Sequence, residues 1–298
     1  MALSHCSIMK IISWSKNFII LATSLLLNVV LVAQNADSIT LVNAVWNSDT
    51  IANGVVLKQL ELRDYFSSNQ YISCIELAPN AAVKLVFAYD KDLDYTSHMA
   101  KKQDAIAAVN GSFFDMQHLN PICYLRIDGK NVGENTNKNT PYRKYYQYGT
   151  LVLDSNEMPK ILKTDSLRVW ENTLSYNNIM TAGPLLIISG EEQPMRDDRT
   201  FVTHRHNRTA IGIKNDGSVI IITIDGRHAK AQGMSLVHLI KTLKWLGCID
   251  ALNLDGGGST TCYIKGKGVV NYPSDNNVFD HKGERKVSNA ILLLSNEQ

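Results

Sequence analysis

The sequence predicts an α+β fold with a mixed β-sheet core and few flanking helices, preceded by a small β-rich extension. Three observations predict it. Most apolar segments are short and closed off by Gly, Pro, Asn or Asp, which is how strands are punctuated. Helical spacing of apolar residues occurs in only two places. Asp216-Gly217 stands between two apolar arms, the strongest short hairpin signal a sequence can carry.

Taken in chain order, the first element is not part of the fold. Lys10 and Lys16 precede an apolar run from Phe18 to Ala33 that is broken only by Thr23, Ser24 and Asn28. A membrane span needs roughly 20 apolar residues, so residues 1–33 are expected to be a secretory signal ending at a small residue. Cys6 precedes the run, so it is not placed as the lipid-bearing cysteine that follows such a run. No lasting membrane anchor is expected, and the mature protein should be periplasmic or secreted. Residues 34–100 form the expected β-rich extension, with strands at Val55 to Leu62 and around Val83, Leu85 and Phe87. Residues 101–298 are the expected main domain. Thr96 to Ala105 is the weaker of the two helical segments. Strands follow at Ile122 to Ile127, Thr150 to Leu153 and Leu185 to Ile188, with a second Asp-Gly turn at Asp128-Gly129. The stretch from Asn131 to Tyr148 reads as a long surface loop. Leu236, Leu239, Ile240, Leu243 and Leu246 recur at helical spacing, with Ser235 as N-cap and Gly247 as stop. A strand from Ile249 to Leu254 comes directly after.

Charge and cysteines narrow the function. The formal net charge of +2 loses Lys10 and Lys16 with the signal and falls to zero, which argues against nucleic acid as a partner. Cys74, Cys123, Cys248 and Cys262 show no C-x-x-C spacing and lie in apolar stretches, so buried thiols are expected before disulfides.

Three apolar strands end in the same way: Val109 runs into Asn110-Gly111, Ile224 into Asp225-Gly226, and Leu254 into Asp255-Gly256. Asx-Gly is ordinary turn chemistry, and that suffices for Asp128 and Asp216. Three successive glycines at 256–258 followed by Ser259 exceed what a hairpin needs. Glycine removes the Cβ that keeps a ligand off the backbone, and freed N–H groups make an anion-binding concavity. His204-Arg205-His206-Asn207-Arg208 forms a cationic loop before the strand starting at Thr209. Arg208, then Arg227, are the expected anion-gripping forks. His204 and His206 have a spacing that suits a metal, with Asp225 or Asp255 completing the set. Plain polar surface is the alternative reading of these histidines.

In order along the chain, Val109 to Asp115 (VNGSFFD), Ala182-Gly183-Pro184, Arg208 to Gly212 (RTAIG), Asp225-Gly226-Arg227, Asn253 to Ser259 (NLDGGGS), Tyr272 to Asp275 (YPSD) and Arg285 to Ser288 resemble the motifs of the phosphodiester glycosidase family. The resemblance covers roughly residues 101–298. It implies hydrolysis of a sugar-1-phosphodiester at the glycosidic bond, a phosphorylated carbohydrate as partner, exopolysaccharide or other cell-surface saccharide as substrate source, and no required cofactor. It implies Asp255, Asp225 and Arg208 as catalytic residues. It implies substrate contacts from Asn110, Gly111, Asp115, Gly183, Thr209, Arg227, Asn253, Gly256, Gly257, Gly258, Ser259, Ser274, Asp275 and Arg285. A mammalian member carries a second glycine where this chain has Ser112, so a different sugar preference is expected. Two rivals remain open at this point: a metal-dependent phosphodiesterase, and a glycan-binding module without turnover.

Overall fold

The computed structural model describes residues 36–136, 143–167, 169–195 and 200–296. The expected signal sequence and residues 137–142 of the expected long loop lie outside the described residues. Val55–Leu62 and Gln70–Leu77 form a hairpin in register from Val55 opposite Leu77 to Leu62 opposite Gln70. Gln70–Leu77 extends the ladder onto Val219–Ile224. The sheet continues through Arg208–Lys214, Cys248–Asn253, Leu185–Ile188 and Glu191–Glu192, with Asn47–Ala52 at the opposite edge. A five-stranded sheet orders Gly268–Val269, Cys262–Ile264, Ala107–Asn110, Lys286–Ser295 and Val83–Tyr95. Another orders Pro159–Lys163, Gly149–Leu153, Asn178–Ala182, Leu125–Ile127 and Lys130–Gly133.

The fold is largely β with few helices. Among the described residues every strand pairing is antiparallel, which corrects the expectation of a mixed sheet. Short turns suffice to join antiparallel neighbours, whereas adjacent parallel strands need a crossover. Asp128 and Gly129 both take positive φ, 49° and 77°, the backbone of a tight hairpin turn. Asp216 accepts from the Ser218 N–H at 2.9 Å, and Gly217 takes φ 84°. Residues 36–42 are helical. The strands between residues 47 and 95 are woven into the same sheets as the later strands rather than appended to them.

One apolar core is shared by the three sheets: Ile75, Ile211, Ile221 and Leu252 from the first meet Leu85, Val109 and Ile291 from the second and Leu151 and Met180 from the third. Each such side chain contributes about 1.5–3 kcal/mol on burial. The alternate residues Ile220, Ile222 and Ile224 are buried on the other side of their strand. The helix Leu236–Trp245 packs on Cys248–Asn253, burying Leu236, Leu239, Ile240 and Leu243. The Ser235 hydroxyl accepts from the His238 N–H at 3.2 Å, and Gly247 at φ 91° ends the helix, both as expected. The earlier helix, Thr96–Lys102, stops short of the expected Ala105. Cys74, Cys123, Cys248 and Cys262 are free and buried. No helix among the described residues is long and apolar enough to cross a membrane.

The consequence for function lies in strand direction. Val219–Ile224 and Cys248–Asn253 flank Arg208–Lys214, and each is antiparallel to it. They therefore run parallel to each other, joined by the helix as a crossover. Their C-terminal ends, which lead to Asp225 and Asp255, emerge at the edge where the Arg208 strand begins.

Candidate active site

Backbone hydrogen bonds draw the ends of these strands together. The Leu254 N–H donates to the Thr209 carbonyl at 2.9 Å, Asp255 N–H to Gly111 at 3.0 Å and Gly257 N–H to Asn207 at 3.0 Å. A Cβ on Gly256 would stand 3.7 Å from the Arg208 Cα and 2.5 Å from the Asn207 carbonyl oxygen. The glycine there is thus required by close approach of the two chains. The 255 loop thus meets the start of the 208 strand through backbone contacts.

The two aspartates occupy different surroundings. Asp225 is fully buried, with Oδ1 accepting from Asn271 Nδ2 at 2.8 Å and Oδ2 from the Tyr272 N–H at 2.9 Å. Desolvation raises its pKa to about 7 against the pull of these two donors. Its carboxylate is committed to holding the 271–272 turn and has no open face for a substrate. Asp255 keeps partial contact with solvent. Packed protein around its carboxyl still desolvates it and raises its pKa to about 6, while Ser259, the Gly256 N–H at 2.9 Å and Arg285 pull the value back. The Ser259 hydroxyl lies beside the carboxyl without reaching a good hydrogen-bond geometry.

The arginines also divide. Arg208 is 2% exposed, its Nε donating to the Met234 carbonyl at 2.9 Å and its Nη2 to Phe201 at 2.7 Å, with the guanidinium carbon 5.0 Å from the centre of the Phe201 ring. It ties down the 201–206 loop, which departs from the expected grip on a ligand. Burial lowers its pKa to about 9, so it stays charged at neutral pH, and it forms no ion pair among the described residues. Arg227 is exposed and holds a left-handed backbone, φ 64°, that a non-glycine side chain rarely adopts. Its Nη2 lies 2.9 Å from where a Gly257 Cβ would be, directly over the glycine loop. Arg285 pairs with Asp275 at the rim, Nε to Oδ1 at 2.8 Å, and both would collide with any Cβ on Gly258.

Several expected substrate contacts are scaffold. Asn110 is fully buried, donating to the Asp255 carbonyl at 2.7 Å and accepting from Thr209 Oγ1 at 2.8 Å and the Thr261 N–H at 3.2 Å. Thr209 is consumed by that same bond. Asn253 donates to the carbonyls of Gly183 at 2.8 Å and Leu254 at 2.7 Å, and Gly183 precedes a cis peptide bond to Pro184. Gly111 is buried against Asn289, whose Oδ1 accepts from the Ser112 N–H at 2.6 Å. Asp115 caps its own turn through the N–H groups of Gln117 and His118. Ser274 is buried and donates to Asn207 Oδ1 at 3.3 Å. Asn207, Asn271 and Asn289 were not singled out from the sequence, because an asparagine between loops has no local pattern.

His204 and His206 do not join the aspartates: His204 is exposed, and His206 Nε2 lies 3.1 Å from the Thr200 carbonyl oxygen. Among the described residues no three His, Cys, Asp or Glu side chains gather at metal-binding distances. Aromatic rings flank the site on two sides. Phe113, Tyr146, Tyr145 and Phe201 make one wall. On the Arg227 side, Phe279 stacks between His228 and Tyr272, with centroids 4.7 and 3.9 Å away. A cavity of about 300 Å³ lined by Tyr145, Tyr148, Pro184, Leu185 and Val202 does not include the glycine loop.

Comparison with known proteins places this geometry. A human N-acetylglucosamine-1-phosphodiester alpha-N-acetylglucosaminidase is 26% identical over 189 residues, covering 59% of this chain and 35% of that protein. The SPbeta prophage-derived uncharacterized protein YomE of Bacillus subtilis is 26% identical over 224 residues, covering 65% and 32%. The chain thus spans about a third of the length of these relatives. The fold matches the catalytic domain of zebrafish N-acetylglucosamine-1-phosphodiester alpha-N-acetylglucosaminidase auto-inhibited by pro-peptide, with TM-score 0.62 and 18% identity over 83% of this chain and 87% of that one. It also matches a hypothetical protein from Synechocystis, with TM-score 0.60 and 16% identity over 81% and 62%. The family model for phosphodiester glycosidase matches residues 103–294, which contain both aspartate loops and the Asp275–Arg285 rim, and the chain belongs to the phosphodiester glycosidase family.

Proposed function

We propose that the chain hydrolyses the glycosidic bond of a sugar-1-phosphodiester at the Asp255 loop, and that it does so in the periplasm or outside the cell. The observation that carries this reading is the part-buried Asp255 on the same loop as an unused N–H and close to the unpaired Arg227 guanidinium. The Gly258 N–H donates to no group among the described residues, and Arg227 makes no ion pair there. These two donors grip the phosphodiester, and buried Arg208 adds positive potential from below. As the bond from the anomeric carbon to oxygen breaks, its electron pair passes to the departing phosphate, where the same donors stabilise the growing charge. Asp255, ionised above its pKa of about 6, attacks the anomeric carbon or takes the proton of an attacking water. A phosphate monoester leaves without protonation, so a second reachable carboxylate is dispensable. This agrees with Asp225 being locked into the scaffold. The substrate is a phosphorylated carbohydrate of cell-surface or exopolysaccharide origin, and the apolar walls beside the loop suit the flat faces of sugar rings.

The test is release of free sugar from a panel of sugar-1-phosphodiesters. Asp255→Asn is expected to lose about 10²–10⁴-fold in rate. The wild-type rate should fall about tenfold per pH unit below the Asp255 pKa of about 6 and be flat above it. Hydrolysis in oxygen-labelled water should put label in the sugar. Label in the phosphate would mean cleavage of the P–O bond, and full activity in Asp255→Asn would place the site elsewhere.

A further inference from the structure

Asn207 sits between the two aspartate loops and belongs to neither. A Cβ on Gly226 would stand 2.8 Å from its N and 3.0 Å from its Oδ1. Its carbonyl accepts the Gly257 N–H at 3.0 Å, and Gly256 lies against the same oxygen. The Ser274 hydroxyl donates to Oδ1 at 3.3 Å, which orients the amide. The residue is fully buried, yet Nδ2 has no acceptor among the described residues. A buried amide donor left unused is costly, so a fold keeps one where something else supplies the acceptor.

Neighbouring groups identify that acceptor. Ser259 Oγ, one residue beyond the Gly256–Gly258 loop, is likewise a buried hydroxyl without a hydrogen-bond partner among the described residues. Of the two carboxyls beside it, that of Asp225 is taken up by Asn271 and Tyr272, and the glycine loop after Asp255 carries donors without partners. Arg227 Nη2 overlies Gly257, the Gly258 N–H is unused, and the Arg208 guanidinium follows in sequence without a carboxylate. Donors held together beside a guanidinium select an anionic oxygen.

We propose that Asn207 is a substrate-contacting residue, its Nδ2 donating to an anionic phosphate oxygen held between the Gly226 and Gly256–Gly258 loops. The assignment rests on the reading of the Asp255 loop as the reaction site, and it adds a donor that sequence motifs do not mark. Because that oxygen gains charge as the glycosidic bond breaks, the contact strengthens toward the transition state.

Inorganic phosphate is the probe, titrated calorimetrically into the full chain, alongside rates on a sugar-1-phosphodiester. Asn207→Asp keeps the acceptor for Ser274 and replaces the donor by a carboxylate oxygen. It should weaken phosphate binding by about tenfold or more, with a melting temperature close to wild type. Asn207→Ala removes the donor without adding charge and should weaken binding less, and it decides the matter if Asn207→Asp does not fold. Asp255→Asn should retain phosphate binding or tighten it. Equal phosphate affinity in wild type, Asn207→Asp and Asn207→Ala would overturn the proposal, as would absence of binding to wild type. Asn207-dependent phosphate binding in a protein that hydrolyses no sugar-1-phosphodiester would keep the anion contact and remove the proposed reaction.

Discussion

Replacing Asp225 by Asn should change the sign of its effect on stability as pH is varied. The carboxyl is fully buried, and its pKa rises from 3.8 to about 7, chiefly by desolvation. An acid whose folded pKa lies above its unfolded value is tolerated best when protonated in both states. Its contribution is therefore undiminished below about pH 4, declines as pH rises toward 7, and is level beyond. At about 1.4 kcal/mol per pH unit, the interval from 3.8 to about 7 amounts to roughly 4 kcal/mol of destabilisation at pH 8. Asparagine removes that penalty. It also loses one acceptor: Oδ1 can serve the Tyr272 N–H, but its NH₂ group then faces Asn271 Nδ2. Asn271 retains the Thr260 carbonyl at 3.1 Å, so the loss is one bond, about 1 kcal/mol. The variant should be less stable than wild type by about 1 kcal/mol near pH 4 and more stable by roughly 2–3 kcal/mol near pH 8. Urea unfolding of both proteins across that range measures the difference, in which the other titrating groups cancel. A difference that stays constant with pH would refute the burial argument for Asp225.

Arg227→Ala should lower kcat/KM on a sugar-1-phosphodiester by about 10²-fold through loss of a charge-stabilising donor. The melting temperature should be unchanged, because the exposed side chain makes no ion pair among the described residues and alanine keeps the same Cβ at φ 64°. Glu171→Gln should destabilise by about 3–5 kcal/mol. It leaves Arg143 buried with half of a two-bond ion pair, now 2.6 and 2.7 Å, and thermal unfolding reads the loss. Gly258→Ala should abolish activity while the chain still folds, since the added methyl displaces the Arg285–Asp275 pair at the rim and leaves the core intact. Circular dichroism and turnover together check that separation.

The elements that depend on neighbours in sequence were legible. The helix around Leu239 announced itself by spacing, with Ser235 and Gly247 marking its ends, and the turns at Asp128 and Asp216 carried their own glycines. The sheet partners were not legible. Nothing local in Gln70–Leu77 shows that it pairs with Val219–Ile224, so the segment before residue 100 read as an extension although its strands belong to the common sheets. For the same reason the sheets were expected to be mixed: the parallel relation of Val219–Ile224 to Cys248–Asn253 is real, but the Arg208 strand lies between them.

At the site, residue type was legible and burial was not. Arg208 and Arg227 carry the same guanidinium, and Asp225 and Asp255 end equivalent strands before the same Asx-Gly turn. What divides each pair is which face of the sheet edge the side chain leaves from. Arg208 shares the face of Ala210, away from core residue Ile211, and runs to the Met234 carbonyl. Asp225 follows Ile221 and Thr223 in alternation and turns inward to Asn271. Asp255, by contrast, lies past its strand on a loop that three glycines keep close to Asn207, and the residue keeps partial contact with solvent. The motif set therefore specifies two layers of one site. An inner layer of Asn110, Thr209, Asp225 and Asn253 fixes the loops by satisfied buried bonds. An outer layer of Arg227, Asp255, the Gly258 N–H and the Asp275–Arg285 pair faces what binds. Mutation of the inner layer should move stability as well as activity, whereas mutation of the outer layer should move activity alone. That contrast distinguishes the two layers without any knowledge of the sugar.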